Sequence, residues 1–310
     1  MFALQYSELG PPEVLTVGEA EEPHAGPGEV RIAVRATGLT PADWKLRAGA
    51  IPAEVEVRLD WPHIPGLDAA GVVDEIGEGV SDVAVGDAVF GVVDFEKLGG
   101  AAAEFAVLAA WAAKPDALSW EEAGGAAGNV ETATRALDLL GVGEGTTLLV
   151  EGAAGGVGTV TVQLAAARGA TVIGTAREAN HAFLTGLGAT PTTYGPGLPE
   201  RVAALAPQGV DAVLDAAGSG SLPDLVAIAG DARRVVSVAD MAAHQHGVHL
   251  TWARSGDTPG YDGLAVAARL AAEGRFRVPL HGVFPLKDAA KAHELSATGH
   301  VRGKVVLTVP

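Results

Sequence analysis

Residues 147–176, TLLVEGAAGGVGTVTVQLAAARGATVIGTA, constrain the chain more than any other stretch. The short apolar run 147–150 leads into Gly152, Gly155, Gly156 and Gly158. A helical period follows, stops at Gly169, and gives way to a second apolar run at 171–173. This is a strand–helix–strand unit opened by a G-x-x-G-x-x-G variant of the dinucleotide fingerprint. Gly152 suits a tight turn out of the strand. Gly155 and Gly156 let backbone N–H groups approach a diphosphate, and Gly158 lets the helix pack close. The free N–H groups of the first helical turn then face the anion. In a chain holding 42 glycines such a triplet arises by chance, so the flanking strands and helix carry the inference.

The same unit speaks to the choice of dinucleotide. An NAD site places an acid about 20 residues beyond the first glycine, where it accepts from the ribose 2′-hydroxyl. Here that place falls at Gly174 and Thr175, followed by Ala176 and Arg177. A hydroxyl and a guanidinium suit a 2′-phosphate, which an acid would repel. Glu178 offers Arg177 a solvent-side ion-pair partner as the competing arrangement. The expected cofactor is NADPH.

A length of 310 residues accommodates two domains with a core each. The formal charge of −17, with no cluster of Lys or Arg, argues against a nucleic-acid partner or an anionic membrane surface. The absence of cysteine removes disulfides, thiol catalysis and the commonest zinc ligand, and fits a cytoplasmic protein. The N-terminus shows no basic region followed by an apolar run, so no signal peptide is expected. The very apolar segment 101–113 is interrupted by Glu104 and reads as a buried strand and turn rather than a membrane span.

Residues up to about 117 lack a strand–helix rhythm. Runs at 14–19, 29–36, 69–75, 88–93 and 103–108 lie between Gly/Pro turns and predict short, curved strands. From Ser119, which with Glu122 forms a capping-box pattern, the period changes. Helices are expected at 131–140, after the glycine turn, at 182–187, 199–205, 222–228 and 261–273. Strands are expected at 210–215, 234–238 and 248–253. After residue 276 the texture reverts: an extended run at 279–284, a helix at 286–295 and a last strand at 304–309. The fold class is therefore α/β, a β-rich domain (1–118 and 276–310) interrupted by an inserted parallel-sheet domain (119–275).

The motifs TPADWKLRAG (40–49), PHIPGLDAAGVVDEIGEGV (62–80), VGDAVFG (85–91), VDAVLDAAG (210–218) and FPLKDAAKAHELSATGHVRGKVVLTV (284–309), with the glycine turn, are spread along essentially the whole chain. Together they resemble the zinc-independent quinone oxidoreductase (zeta-crystallin-like) branch of the medium-chain dehydrogenase/reductase superfamily. The resemblance implies a GroES-like catalytic domain built from both chain ends, a Rossmann domain between them, a cleft where they meet, NADPH, and a homodimer. Zinc-dependent relatives carry a Cys near Thr40 and a His–Glu pair near Leu67 and Asp68. Thr, Leu and Asp here cannot supply that metal site, and 92–101 is too short for a structural-zinc lobe. His63 is a single imidazole, and His244, His246 and His249 are not spaced for a metal site, so no metal is expected.

The resemblance also implies roles. Thr40 replaces the Asn usual in this family and keeps a hydroxyl near the substrate. Lys45 reaches toward the cofactor, and Thr132 lies on the nicotinamide side. Gly155, Gly156 and Val157 present the diphosphate-binding backbone, while Thr175, Ala176, Arg177 and Tyr194 surround the adenosine 2′-phosphate. Ala217 lies beside the ribose or nicotinamide, Val238 and Ala239 meet the carboxamide, and Arg302 closes on the cofactor. The implied reaction is hydride transfer to a small-molecule quinone or enone, without metal. Reduction of the C=C bond of an enoyl or alkenal substrate and a non-catalytic NADPH sensor are the alternatives.

Overall fold

The computed structural model describes residues 1–51, 58–252 and 255–310. The N-terminal elements are β1 (Phe2–Gln5), β2 (Thr16–Glu19), β3 (Val30–Leu39), α1 (Pro41–Arg47), β4 (Asp68–Ile76), β5 (Ala88–Val92), β6 (Phe105–Leu108), β7 (Ala110–Ala113) and α2 (Trp120–Gly124). The middle of the chain forms α3 (Ala127–Leu139), β8 (Thr147–Glu151), α4 (Gly156–Ala167), β9 (Thr171–Thr175), α5 (His181–Thr185), β10 (Ala189–Thr192), α6 (Leu198–Leu205), β11 (Ala212–Asp215), α7 (Leu222–Ala229), β12 (Val235–Ser237) and β13 (His249–Leu250). The last elements are α8 (Asp262–Ala272), β14 (Leu280–Pro285), α9 (Ala289–Ala297) and β15 (Lys304–Thr308).

The expected elements are present, with ends displaced for local reasons. The run expected at 14–19 starts its strand at Thr16, because Pro12–Val14 is a 3₁₀ turn. Ser119 accepts from the Glu122 N–H at 3.1 Å and the Glu122 carboxylate accepts from the Ser119 N–H at 2.8 Å, which completes the capping box of α2. The strand expected at 248–253 is the short β13, and residue 253 lies outside the described residues. Helix α1 and strands β1, β7 and β10 have no counterpart among the expected elements.

The chain divides into two compact units, Met1–Gly128 with Leu264–Pro310, and Asn129–Gly263. In the first, a seven-stranded sheet runs β14-β15-β3-β4-β5-β7, with β6 also pairing β3. The C-terminal strand β15 lies antiparallel on β3, so the end of the chain completes a sheet begun near its start. Register shifts at Arg31/Ile32 and Val34/Ala36 curve the β3–β4 pair. One core gathers Val30, Ile32, Val34, Val73, Val89 and Leu108; another packs Leu4, Leu39, Ala292 and Leu307 under α9.

The second unit is a six-stranded, wholly parallel sheet in the order β10-β9-β8-β11-β12-β13. Its apolar strands stack Leu149, Ile173, Val213 and Val235 against Leu198, Val202, Leu222 and Leu225 of the covering helices. The chain leaves β8 toward β9 on one side and returns through β11 on the other. The carboxyl ends of β8 and β11 therefore flank the topological switch point, where open α/β sheets bind ligands. Along that edge the strands end in buried polar residues: Thr192, Thr175, Glu151, Asp215 and Ser237.

Candidate cofactor and active site

The glycine turn has the conformation its sequence demands. Gly152 sits at φ +75°, a region that penalises any side chain. A Cβ on Gly158 would lie 2.3 Å from the Gly152 carbonyl oxygen and 2.6 Å from Ala153 Cα, so α4 closes onto the turn only because Gly158 has none. Gly155 caps α4, and Gly156, Val157 and Gly158 form its first turn, whose N–H groups lack intrahelical acceptors. Thr175, buried at the end of β9, accepts from the Gly152 N–H at 3.2 Å and thereby fixes the turn. Beyond it Ala176 donates to the Thr192 carbonyl at 3.0 Å. Arg177 and Tyr194 are both exposed, and the guanidinium Nε donates to the Tyr194 hydroxyl at 3.2 Å. Arg177 thus pairs with the tyrosine rather than with Glu178.

On the other side of β8, side chains at the strand ends shape the loops. Asp215 Oδ1 accepts from the N–H groups of Ala217 and Gly218, both at 2.9 Å, and Oδ2 accepts from the Ser237 hydroxyl at 2.7 Å. Ser237 Oγ accepts in turn from Ala239 N at 3.2 Å, while Val238 N donates to the Asp215 carbonyl at 2.9 Å. Ala217, Val238 and Ala239 are therefore held by one buried acid and one buried hydroxyl. Thr132 lies on α3 and its hydroxyl donates to Glu131 at 3.2 Å.

In the first unit Thr40 precedes α1. Its hydroxyl donates to Asp43 Oδ2 at 2.7 Å, its N–H donates to the same oxygen at 2.6 Å, and Gly66 N donates to Oδ1 at 2.9 Å. The Thr40 proton is therefore directed to a buried carboxylate. Lys45 on α1 is half-buried with Nζ 5.9 Å from the centre of the Trp44 ring. Arg302 is exposed on the turn before β15, and its N–H donates to His281 Nδ1 at 3.2 Å. Around Asp43 the unit buries Tyr6, His63 and His293; burial holds the His293 imidazole down to about 4, so it is neutral near pH 7.

Residues 26–116 match the alcohol dehydrogenase GroES-like domain, and residues 187–307 match the zinc-binding dehydrogenase family. The solved quinone oxidoreductase of Coxiella burnetii is 31% identical, has a TM-score of 0.84, and is aligned over 100% of this chain and 99% of its own. The chain belongs to the quinone oxidoreductase-like branch of the medium-chain dehydrogenase/reductase superfamily. The chloroplast envelope quinone oxidoreductase homolog of Arabidopsis thaliana is 29% identical over 99% of this chain and 98% of its own length. Polyketide synthase GfsB of Streptomyces halstedii is 32% identical over 91% of this chain, which spans 5% of the synthase's length.

Membership makes this chain an oxidoreductase that uses a nicotinamide dinucleotide, and its glycine turn fits that group. A zinc ion fits poorly. Asp68, at the family's ligand position, is fully buried, accepts from Gly128 N at 2.9 Å, and faces the Lys304 ammonium at 3.7 Å. A Cβ on Gly38 would meet both Asp68 Oδ1, at 2.4 Å, and Lys304 Nζ, at 2.9 Å, so this cation is already packed against the carboxylate. Among the described residues no group of three or more His, Cys, Asp or Glu is arranged to hold a metal ion. No helix among them is long and apolar enough to cross a membrane.

Sequence reasoning passed over Asp43, Glu151, Asp215 and Ser237. Asp215 had a usable signal, an acid closing an apolar strand and followed three residues later by Gly218 at φ +61°. Asp43 had one too, an acid three residues after a hydroxyl residue and two after a proline.

Proposed function

We propose that this protein uses NADPH to reduce a quinone or another conjugated carbonyl compound, without a metal, and that it works as a homodimer in the cytoplasm. The observation that carries the reading is the glycine turn at the switch point of a chain aligned end to end with a quinone oxidoreductase. The bound dinucleotide supplies a hydride from its nicotinamide. The first-turn N–H groups of α4 would hold the diphosphate, and Arg177 with Tyr194 would bracket the 2′-phosphate. Ala217, Val238 and Ala239 would border the nicotinamide half.

Thr40 directs its proton to Asp43, and that contact must give way before the hydroxyl can donate to a carbonyl substrate, which has only acceptor oxygens. The proton that balances two-electron reduction of a quinone to a hydroquinone then comes from solvent. The edge strand β13 ends the six-stranded sheet, and an unpaired edge of this kind pairs readily with its copy. The acidic, cysteine-free composition supports the cytoplasmic setting.

The deciding experiment follows NADPH consumption across benzoquinones, naphthoquinones, alkenals and cyclic enones, with the products identified. Hydroquinone formation supports the reading. A saturated carbonyl product moves the assignment to C=C reduction, and tight NADPH binding without turnover on any acceptor moves it to a sensor.

A further inference from the structure

Glu151 is the last residue of β8, next to Gly152, and it is buried. Its carboxylate does not serve its own strand. Oε1 accepts from the Ser219 hydroxyl at 3.2 Å, and Oε2 accepts from the Ser221 hydroxyl in a short contact. Both serines belong to the loop between β11 and α7, so one carboxylate reaches across the switch point to the neighbouring strand's loop. The two strands are in register there, with Asp215 opposite Glu151. Burial raises the Glu151 carboxyl above the usual range and nearby Asp215 and Asp224 add to this, against the opposing hydrogen bonds of Ser221 and Ser219. An acid held in such a place needs a reason beyond stability, because an apolar residue would end the strand without that burden.

The packing supplies one. A Cβ on Gly152 would lie 3.2 Å from the Ala216 carbonyl and 3.2 Å from Ala217 Cβ, so the glycine turn and this loop share one surface. A Cβ on Gly218 would lie 2.8 Å from the Ala239 carbonyl oxygen, which carries the contact on to the loop after β12. We infer that Glu151 is a positioning residue that locks the β11–α7 loop to the glycine turn and so sets the nicotinamide half of the dinucleotide cradle against the diphosphate half. The adenosine half is built on the opposite side of β8, from Thr175 to Arg177 and Tyr194, and it meets the glycine turn through Thr175 and Gly152 rather than through Glu151. The inference rests on the dinucleotide occupying the carboxyl edge of this sheet, whichever substrate is reduced.

The asymmetry of the cradle gives the test. The full-length protein and its Glu151→Ala, Glu151→Gln and Ser219→Ala/Ser221→Ala variants are titrated with NADPH, NADH and 2′,5′-ADP, which carries only the adenosine half. Glu151→Ala and the double serine variant are expected to weaken NADPH and NADH alike, by at least about tenfold. Their 2′,5′-ADP affinity should stay within about twofold of wild type, and Glu151→Gln should recover part of the loss. Equal weakening of all three ligands would overturn the inference, making Glu151 a general support of the fold. Unchanged NADPH and NADH binding would overturn it as well. Should Glu151→Ala fail to fold, the double serine variant, altered on the loop side only, decides the matter by the same criteria. Failure of wild type to bind either dinucleotide would overturn the inference together with the dinucleotide reading beneath it. Binding of dinucleotide without quinone turnover would leave the latch testable and touch only the proposed substrate.

Discussion

The Thr40 hydroxyl and the Thr40 N–H both donate to one oxygen of Asp43, at 2.7 Å and 2.6 Å. A buried acid therefore sets the orientation of the Thr40 side chain. The proposed substrate side of the protein thus depends on the buried acid beside Thr40.

Removing that acid is the first test. Asp43→Ala strands the Thr40 and Gly66 N–H groups in a buried setting, and unsatisfied donors cost about 1–3 kcal/mol each. Urea denaturation is expected to show a loss of about 3 kcal/mol. Thr40→Val keeps the N–H to Asp43 contact, so its stability should drop by only about 1 kcal/mol. Its kcat/KM for the best acceptor should still fall about tenfold, and wild-type turnover by this variant would remove Thr40 from the site.

Cofactor choice is tested at Arg177. Its guanidinium is exposed and leans on the Tyr194 hydroxyl at 3.2 Å, free of Glu178. Arg177→Ala is expected to weaken NADPH binding by about 10- to 150-fold, the worth of a charge-assisted bond of roughly 1.5–3 kcal/mol. NADH binding should hardly change, and the NADPH loss should shrink as salt screens the contact. Tyr194→Phe should act in the same direction, more mildly. Titration of both cofactors reads the result; equal weakening of the two would assign Arg177 to general support.

The Asp68–Lys304 pair yields a prediction with a pH sign. Lys304→Met leaves a buried carboxylate alone, which costs about 3–5 kcal/mol at neutral pH. Burial raises the folded-state Asp68 carboxyl, so the native state binds its proton more readily than the unfolded chain does. Stability therefore falls as pH rises from the unfolded-state value through the raised folded one. The Lys304→Met penalty should accordingly shrink as pH is lowered toward 4 and persist above neutrality. Adding Asp68→Asn should recover much of the loss, and substoichiometric zinc with full activity after dialysis against a chelator is the matching metal result. A penalty that grows on acidification would refute the pairing.

Assembly is read by light scattering. With β13 as an open edge, the particle is expected at about twice the 31.2 kDa chain mass at micromolar concentration. A constant monomer mass up to the highest soluble concentration would dismiss the edge as an interface.

Features that depend on near neighbours are legible from the order of the residues. Gly152, Gly155 and Gly158 announce the turn because their spacing is local and their conformations exclude side chains. The Ser119–Glu122 box, the apolar runs of β8, β9 and β11, and the change of period at each end were legible for the same reason. Thr175 and Arg177 could be placed by counting from the glycines, but their partners could not. Thr175 turns its hydroxyl to Gly152, 23 positions away in the chain, and Arg177 finds Tyr194 rather than its neighbour Glu178. Folding alone brings Glu151 to Ser219 and Ser221, Asp215 to Ser237, and Asp68 to Lys304 across the sheet. Those contacts join residues 22 to 236 positions apart, and a buried acid signals only that it has a partner, because the strand order that supplies the partner is set by packing of the whole sheet.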